Sequence, residues 1–228
     1  MTITRAFTFV FEDPDWVNKL VVLILIVAVS GVFSPFLIGL LGLAIVLGYQ
    51  GQLIRNVRAS ATPLLPRWDD FGRLLSDGLP VLVALIVYTL PNLLIGGVTW
   101  FTTSAAGNTS IVSGGVSLAI ACCLFPLILV YNLVTLPMFT IAQGRYAENH
   151  QVNSFFEIGS LWDVLRTQFD AVAQWWIGMV IVGLAFSAAS LIPCLGWLVA
   201  MGLLPTTTGA LAGMLHAATY DKPKKKNG

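Results

Sequence analysis

Two histidines, His150 and His216, are the side chains of this chain best suited to acid–base catalysis or metal binding near neutral pH. A metalloprotease needs a motif such as HExxH, and a serine hydrolase needs a base beside its nucleophile. Neither histidine lies in such an arrangement. His216 ends an apolar stretch, where it could ligate a metal or a tetrapyrrole, or could simply lie at a membrane interface. We therefore predict a protein that is not an enzyme and carries no metal and no cofactor.

Cysteines offer another route to reactive or metal-binding chemistry, and the chain has three of them, Cys122, Cys123 and Cys194. Their odd number and the absence of metal-ligand spacing argue against a disulfide scaffold or a zinc site. All three lie within or beside apolar stretches, where a thiol behaves as a small hydrophobic group. We predict that they pack rather than react.

Uncharged polar side chains surround three prolines inside the apolar stretches, in the sequences TLP (89–91), TLP (135–137) and LLPTTT (203–208). Each proline removes a backbone hydrogen bond and bends its helix. If the polar groups converge, they could line an uncharged cavity between broken helices, as in transporters. Alternatively, they join helices and satisfy the backbone that proline frees. The candidate cavity residues are Tyr88, Asn92, Tyr131, Asn132, Thr135, Thr206 and Thr207.

The composition shows what kind of scaffold must position these groups. The chain is 57% hydrophobic and only 10% charged, whereas a soluble domain carries about 25% charged residues. Lipid must therefore cover much of the surface. The net charge of +1 gives no field that would attract nucleic acid. Ionisable groups are missing from most of the apolar sequence, which argues against a proton-driven transporter or a voltage sensor.

Three apolar runs are each too long for one membrane crossing, which takes about 20 residues. Turn-forming sequences interrupt each run: GVFSP (31–35), TTSAAGNTSIVSGG (102–115) and PCLG (193–196). We predict an all-α polytopic bundle of about six membrane segments, arranged as three hairpins. A single membrane domain would cover residues 1–220, with hairpins at about 20–54, 79–144 and 171–216 and a basic tail at 221–228.

The basic residues indicate the orientation, because cytoplasmic loops accumulate lysine and arginine. No predicted turn within a hairpin carries a charge, so all basic segments share one side, and we predict cytoplasmic N- and C-termini. A single kinked helix over 20–54 would put four arginines outside, whereas a shallow re-entrant hairpin would keep the same sidedness. The basic residues are Arg5, Lys19, Arg55, Arg58, Arg67, Arg73, Arg145, Arg166, Lys222, Lys224, Lys225 and Lys226.

Two connecting segments have the spacing of amphipathic interfacial helices, at about 66–78 and 161–173. Aromatic side chains suit the headgroup region, and small residues let helices approach closely or mark an oligomer face. We predict interfacial anchors at Trp16, Trp68, Trp162, Trp175 and Trp176, and helix-packing positions at Gly39, Gly42, Gly209 and Gly213.

Several sequence motifs occur together in the order of a known family. They are FEDPDWVNKL near the start, GYQGQLIRNV after the first hairpin, LLPRWDDFGRLLSDGL before the second, YTLP (88–91) and LAGML (211–215). From about residue 7 to residue 216 the chain resembles a prokaryotic membrane family known as domain of unknown function 4013. The resemblance implies a multi-spanning protein of the prokaryotic cytoplasmic membrane and implies no particular reaction.

Two functions fit these observations. The first is a structural, accessory or scaffold subunit that packs with membrane lipids and with other membrane proteins or further copies of itself. The alternative is a facilitator or transporter of a neutral or amphiphilic small molecule or lipid. A closed polar cavity around Asn92, Asn132 and Thr206 would favour transport, and solid packing there would favour the scaffold.

Overall fold

The computed structural model describes residues 5–33, 38–105, 111–192 and 195–220. Every regular element in these ranges is a helix, which confirms the predicted all-α bundle. The predicted basic tail, 221–228, lies outside the described residues. The helices are α1 (Arg5–Thr8), a 3-10 turn (Phe9–Glu12), α2 (Trp16–Val32), α3 (Ile38–Arg58), α4 (Phe71–Ala105), α5 (Ile111–Asn149), a second 3-10 turn (Val152–Phe155), α6 (Ile158–Thr167), α7 (Phe169–Ala189) and α8 (Leu195–Tyr220).

The long helices pack in sequential pairs, α2 with α3, α4 with α5 and α7 with α8. At the centre lies α3, which also contacts α4, α5 and α8. This position explains why α3 is, together with α8, one of the two most buried candidate membrane spans. Its inward side chains, such as Leu53 and Tyr49, are almost completely buried. The fold thus consists of three helical pairs, and α3 of the first pair lies at the centre.

Glycines allow the central helix to touch α4 through the backbone. A Cβ atom at Gly48 of α3 would overlap the carbonyl oxygen of Leu74, and one at Gly78 of α4 would overlap that of Ala44. Each of the two glycines therefore packs against the backbone of the other helix at the same α3–α4 contact. In contrast, a Cβ atom added at Gly51, three residues further along α3, would have no described atom within 4 Å. Close helix approach through small residues is typical of membrane bundles.

Five helices are long and apolar enough to cross a membrane: α3, α4, α5, α7 and α8. A sixth span exists if α2 is counted together with the short N-terminal helical segment, from which it is bent by 117°. The 17 residues of α2 correspond to about 26 Å at 1.5 Å per residue, slightly less than the hydrocarbon core. The chain is therefore a multi-pass helical bundle of five or six spans.

The helix boundaries differ from those expected at two interfacial segments. Residues 66–70 precede α4, and 71–78 form its first turns, so no separate helix covers 66–78. Asp70 caps α4, since its Oδ1 accepts a hydrogen bond from the backbone N–H of Arg73 at 2.9 Å. The helix continues through Pro80 because Leu74 and Val81 are both buried against its neighbours. The second segment, 161–173, is divided at Gln168 between α6 and α7.

The α4–α5 hairpin is longer than the sequence suggested. Helix continues to Ala105 and resumes at Ile111, so most of the expected turn at 102–115 is helical. With 35 and 39 residues, these helices measure about 52 and 58 Å. Their far halves pack on little else in the described structure and expose large apolar side chains. We call this far part the distal hairpin; its exposed residues include Leu93, Leu94, Trp100, Phe101, Phe125, Leu127 and Val130.

Candidate functional site

The polar residues of α4 and α5 meet within the hairpin. Asn92 and Asn132 exchange amide hydrogen bonds, with Nδ2–Oδ1 distances of 2.8 Å and 3.2 Å. The hydroxyl of Tyr131 donates to the carbonyl oxygen of Tyr88 at 2.8 Å, and that of Thr135 donates to the carbonyl oxygen of Tyr131 at 2.8 Å. These groups therefore hydrogen-bond to one another rather than line an open space.

Tyr88 extends this cluster towards the end of the bundle where α5 ends. Its hydroxyl donates to the carbonyl oxygen of Phe155 at 2.7 Å, in the 3-10 turn that follows α5. Its ring also lies edge-on to Phe139, with centroids 5.6 Å apart. One tyrosine thus connects α4, α5 and the connecting segment.

The threonines of α8 form a separate group against α3. Thr206 and Thr207 are buried, and their hydroxyls donate to the carbonyl oxygen of Leu203 at 2.9 Å and 2.5 Å. From α3, the amide of Gln50 donates to the carbonyl oxygen of Pro205 at 3.0 Å and to the hydroxyl of Thr208. The structure therefore brings five of the seven candidate cavity residues together at α4–α5 and places Thr206 and Thr207 elsewhere.

The hydrogen-bonded pair Asn92–Asn132 predicts how the stabilities of single and double variants compare. Asn132→Leu alone leaves the amide of Asn92 without its partner and should cost about 1–2 kcal/mol. The double variant Asn92→Leu/Asn132→Leu should recover most of that loss, because both polar groups are then gone. Unfolding by SDS titration of the purified protein measures both. A double variant as unstable as the sum of the singles would contradict a pairing role.

Charged side chains converge at the end of the bundle that contains the C-termini of α3, α5 and α8, which we call the charged end. Arg58 of α3 forms an ion pair with Glu148 of α5, and Nε2 of His216 on α8 lies 2.9 Å from the same carboxylate. The guanidinium of Arg58 also lies 3.9 Å from the ring centroid of Tyr220. The network joins three helices, and the side chain of His216 is only 1% exposed.

A second ion pair at the charged end joins α3, α4 and α5. Arg55 contacts Asp77 at 3.3 Å and donates to the carbonyl oxygen of Ala147 at 2.9 Å. His150 lies beside both, 3.7 Å from the carboxylate of Asp77. It has a left-handed φ of 54° and directly follows α5, a position typical of a helix C-terminus. Both histidines thus lie beside carboxylate–arginine pairs.

A third pair fixes the N-terminal segment. Lys19 contacts Asp13 at 2.6 Å and donates to the carbonyl oxygen of Leu65 at 3.1 Å, although both side chains are almost completely buried. The indole N–H of Trp68 donates to the carbonyl oxygen of Lys19 at 3.1 Å, and its ring stacks on Tyr49 at 4.4 Å. A buried pair of this kind is stable only when hydrogen bonds satisfy both charges, as they do here.

The expected anchors and packing glycines occupy different environments. Trp16, Trp68, Trp162 and Trp176 are partly buried, whereas Trp175 is buried inside the bundle. Trp100 and Trp197, which the sequence analysis did not single out, are 76% and 62% exposed near the opposite end.

The predicted packing glycines lie at contacts between helices. Added Cβ atoms at Gly42, Gly209 and Gly213 would meet Ser30, Leu53 and Val57 on neighbouring helices. Gly39 is buried, and its N–H donates to the carbonyl oxygen of Phe33 at the α2–α3 turn.

A cavity of about 470 Å³ opens at the charged end, between the C-terminal turns of α3 and α8, the first turns of α7 and the loop after α3. It does not include the Asn92–Asn132 pair. Among the described residues, no three His, Cys, Asp or Glu side chains are grouped closely enough to hold a metal ion. The lining residues are Val57, Arg58, Ser60, Ala61, Thr62, Leu64, Ala171, Gln174, Trp175, Leu211, Met214, Leu215, Ala217 and Ala218.

A family model described as Protein of unknown function (DUF4013) matches residues 32–195, well over half of the chain. The chain belongs to this family. The DUF4013 match runs from the last residue of α2 to the first residue of α8, so it contains α3 to α7 and confirms the resemblance found in the motifs. No curated protein and no solved structure matches the chain. Arg58 and Glu148 lie within the DUF4013 match, and His216 lies beyond it.

The sequence analysis missed the convergence of the charged end. Arg55 and Arg58 were recognised only as orientation signals, and Glu148 was not considered. Their spacing contained a usable indication, since Arg55 and Arg58 lie three residues apart and therefore on one side of the last turn of α3. Which carboxylates they meet depends on how α4 and α5 pack in this DUF4013 protein.

Proposed function

We propose that this protein is a non-enzymatic structural or accessory subunit that packs beside other proteins in the membrane. The observation that carries this proposal is the internal pairing of Asn92 with Asn132. A permeation pathway needs polar groups that are available to the substrate. Here the polar groups inside the α4 and α5 spans are used to hold the two helices together.

The distal hairpin supports the same proposal. Its two helices continue beyond the part of the bundle that covers them, and their side chains are apolar on several faces. Gly96 and Gly97 have no described atom within 4 Å of an added Cβ, which leaves room for another helix to pack closely. This surface suits contact with a neighbouring transmembrane segment.

The deciding experiment is purification of the tagged protein from its native membrane in a mild detergent, with mass spectrometry of the proteins and lipids that co-elute. We expect a partner at fixed stoichiometry. A protein that elutes alone, with no partner and no second copy, would contradict the proposal.

A matched pair of glycine variants tests whether the distal hairpin makes the contact. Gly96→Leu adds a side chain at the proposed surface, where its Cβ has no described neighbour within 4 Å, and Gly183→Leu does the same on α7. We expect Gly96→Leu to lower the partner yield about tenfold, which corresponds to about 1.4 kcal/mol, and Gly183→Leu to leave it unchanged. Equal yields from the two variants would exclude contact through Gly96.

A facilitator of an amphiphilic molecule is the second candidate, and the cavity at the charged end is the observation that favours it. The cavity lies at one end and does not reach the α4–α5 polar cluster, so it resembles a binding site more than a pathway. Uptake of a labelled amphiphile into proteoliposomes, against empty liposomes, separates the two functions. Transport that depends on Asn92 and Asn132 would reverse our ranking.

We also infer that the charged end faces the cytoplasm of a prokaryotic cell membrane. Described arginines such as Arg55, Arg145 and Arg166 lie at this end, and cytoplasmic loops are enriched in basic residues. Tyr220 in the last turn of α8 lies against Arg58, and Lys19 near the N-terminus donates to the carbonyl oxygen of Leu65 in the segment between α3 and α4, so both ends of the described chain lie at the charged end. Both termini would therefore be cytoplasmic.

Cysteine labelling at two exposed serines, which lie at opposite ends of the bundle, tests this orientation. In a protein whose three natural cysteines are replaced by alanine, Ser104→Cys should react with a membrane-impermeant maleimide in intact cells. Ser60→Cys should react only after the membrane is permeabilised. Both serines are exposed in the folded chain, so access depends on the side of the membrane. The opposite pattern would invert the orientation.

A further inference from the structure

The cavity at the charged end has the size of a ligand site. Its volume of about 470 Å³ lies within the range of roughly 300–1,000 Å³ that small-molecule pockets occupy. It lies where the loop after α3 meets α7 and α8, at the level of the ion pairs. In a membrane, this end of the bundle adjoins the lipid headgroups, because the charges cannot lie in the hydrocarbon core.

The walls of the cavity are chemically divided. One wall is apolar and comes from α7 and α8, with Trp175, Leu211 and Met214. The other wall carries hydrogen-bonding groups from α3, the following loop and α7. These groups belong to Arg58, Ser60, Thr62 and Gln174, and the apolar side chains of Val57, Ala61 and Leu64 lie among them. An amphiphile, with one polar and one apolar part, matches this division.

The polar wall favours an anionic ligand that is rich in acceptor oxygens. Among the described residues, the lining contains an arginine and no carboxylate. Although Arg58 is paired with Glu148, a guanidinium has five N–H donors, and its side chain keeps 28% of its surface exposed. The last carbonyl groups of α3 do not repel an anion strongly, because the N–H groups of Ala59, Ser60 and Ala61 already donate to them.

One buried donor in the lining lacks an acceptor. Trp175 is 6% exposed, and its Nε1–H has no hydrogen-bond partner among the described residues. Leaving such a group buried and unpaired costs about 1–3 kcal/mol. Because Nε1 is itself enclosed by neighbouring atoms, the indole must turn towards the adjoining cavity, where a ligand oxygen would accept its hydrogen bond and recover this free energy.

We propose that the cavity binds an anionic phospholipid, with phosphate and ester oxygens accepting hydrogen bonds from Trp175, Gln174 and the guanidinium of Arg58. The acyl chains then leave along the apolar surface of α7 and α8, past Leu211 and Met214. This site is separate from the contact surface of the proposed accessory role, and either can hold without the other. Lipid binding here would fasten the α3 loop to the α7–α8 pair.

The test compares two neighbouring tryptophans. Trp175→Phe removes the unpaired donor, whereas Trp176→Phe makes the same change at a residue that does not line the cavity. Delipidated protein in detergent is titrated with short-chain phosphatidylglycerol, phosphatidylcholine or inorganic phosphate, and binding is followed by native mass spectrometry. We expect Trp175→Phe to weaken phosphatidylglycerol binding about tenfold, the equivalent of about 1.4 kcal/mol, and Trp176→Phe to leave it unchanged.

A second pair of variants tests the cavity independently, in case Trp175→Phe does not fold. Ala218→Phe places a bulky group at the exposed rim of the cavity, and Ala188→Phe places one at an exposed position at the other end of α7. Ala218→Phe should abolish binding, whereas Ala188→Phe should not, with both proteins eluting as the parent does. Binding that neither Trp175→Phe nor Ala218→Phe affects would overturn the proposal, as would tight binding of inorganic phosphate alone.

Discussion

Replacing Gly78 with alanine is expected to separate α4 from α3 and to destabilise the protein by about 3 kcal/mol or more, at the upper end of overpacking effects. The added methyl group would overlap the backbone carbonyl of Ala44. A backbone atom cannot rotate away as a side chain can, so the helices must move apart. Gly48→Ala, which would overlap the carbonyl of Leu74, should have an effect of the same size.

The natural control for both substitutions lies one turn further along α3. Gly51→Ala adds the same methyl group where no atom lies within 4 Å. Alanine is favoured over glycine in a helix interior by about 1 kcal/mol, so this variant should be neutral or slightly stabilised. The same chemical change is thus expected to act in opposite directions at positions three residues apart.

Thermal unfolding in detergent, combined with size-exclusion profiles, measures this contrast. We expect Gly78→Ala to lose its single elution peak at temperatures where the parent and Gly51→Ala retain theirs. Equal stability of all three proteins would mean that α3 and α4 do not approach through their backbones. That result would contradict the backbone contact between α3 and α4 described above.

The helical pairs were predictable because hydrophobic run length and turn residues are local properties. Pro and Gly predict turns at 31–35 and 193–196, and separate helices lie on either side of both: α2 ends at Val32 before α3, and α7 ends at Ala189 before α8. The predicted turn at 102–115 was too long, since α4 continues to Ala105 and α5 begins at Ile111; Ser, Thr and Gly tolerate helix when each added residue gains a backbone hydrogen bond. Residues 66–70 were assigned to a helix because Trp68 fits a helical period with Phe71, yet its ring stacks on Tyr49.

The candidate site could be predicted only in part. A sequence shows which polar residues lie within apolar stretches, but it does not show which of them meet in the folded protein. Asn92 and Asn132 were recognised together, and they meet because α4 and α5 are consecutive antiparallel helices. Thr206 belongs to α8, whose neighbours depend on the packing of the whole bundle, and it lies against α3. Glycine spacing drew attention to α3 and to Gly209 and Gly213 of α8, but the backbone contact that Gly48 and Gly78 make between α3 and α4 depends on a pairing of helices that only the fold reveals.

The largest electrostatic effect is expected from Glu148, because one carboxylate serves both Arg58 and His216. Glu148→Ala leaves the guanidinium and the imidazole without their shared acceptor. Breaking a fully buried pair costs about 3–5 kcal/mol. The side chains of Arg58 and Glu148 remain 28% and 20% exposed, and water screens them in part, so we expect a loss of about 2–3 kcal/mol.

The comparison with glutamine separates charge from hydrogen bonding. Glu148→Gln keeps an acceptor oxygen at the same place and should lose less stability than Glu148→Ala. The matched surface control is Glu157→Gln, because Glu157 is 55% exposed and lies 3.8 Å from Arg145; exposed pairs of this kind contribute at most about 1 kcal/mol. Stabilities are measured by SDS titration of the purified proteins.

The same network links stability to the site that we infer beside it. Arg58 contacts Glu148, stacks on Tyr220 and lines the cavity. Loss of the Glu148 carboxylate frees the guanidinium, so Glu148→Gln should bind phosphatidylglycerol more tightly while being less stable without lipid. A variant that loses stability and lipid affinity together would show instead that the carboxylate holds the cavity in shape. The direction of that single change therefore decides whether Glu148 competes with the ligand or organises its site.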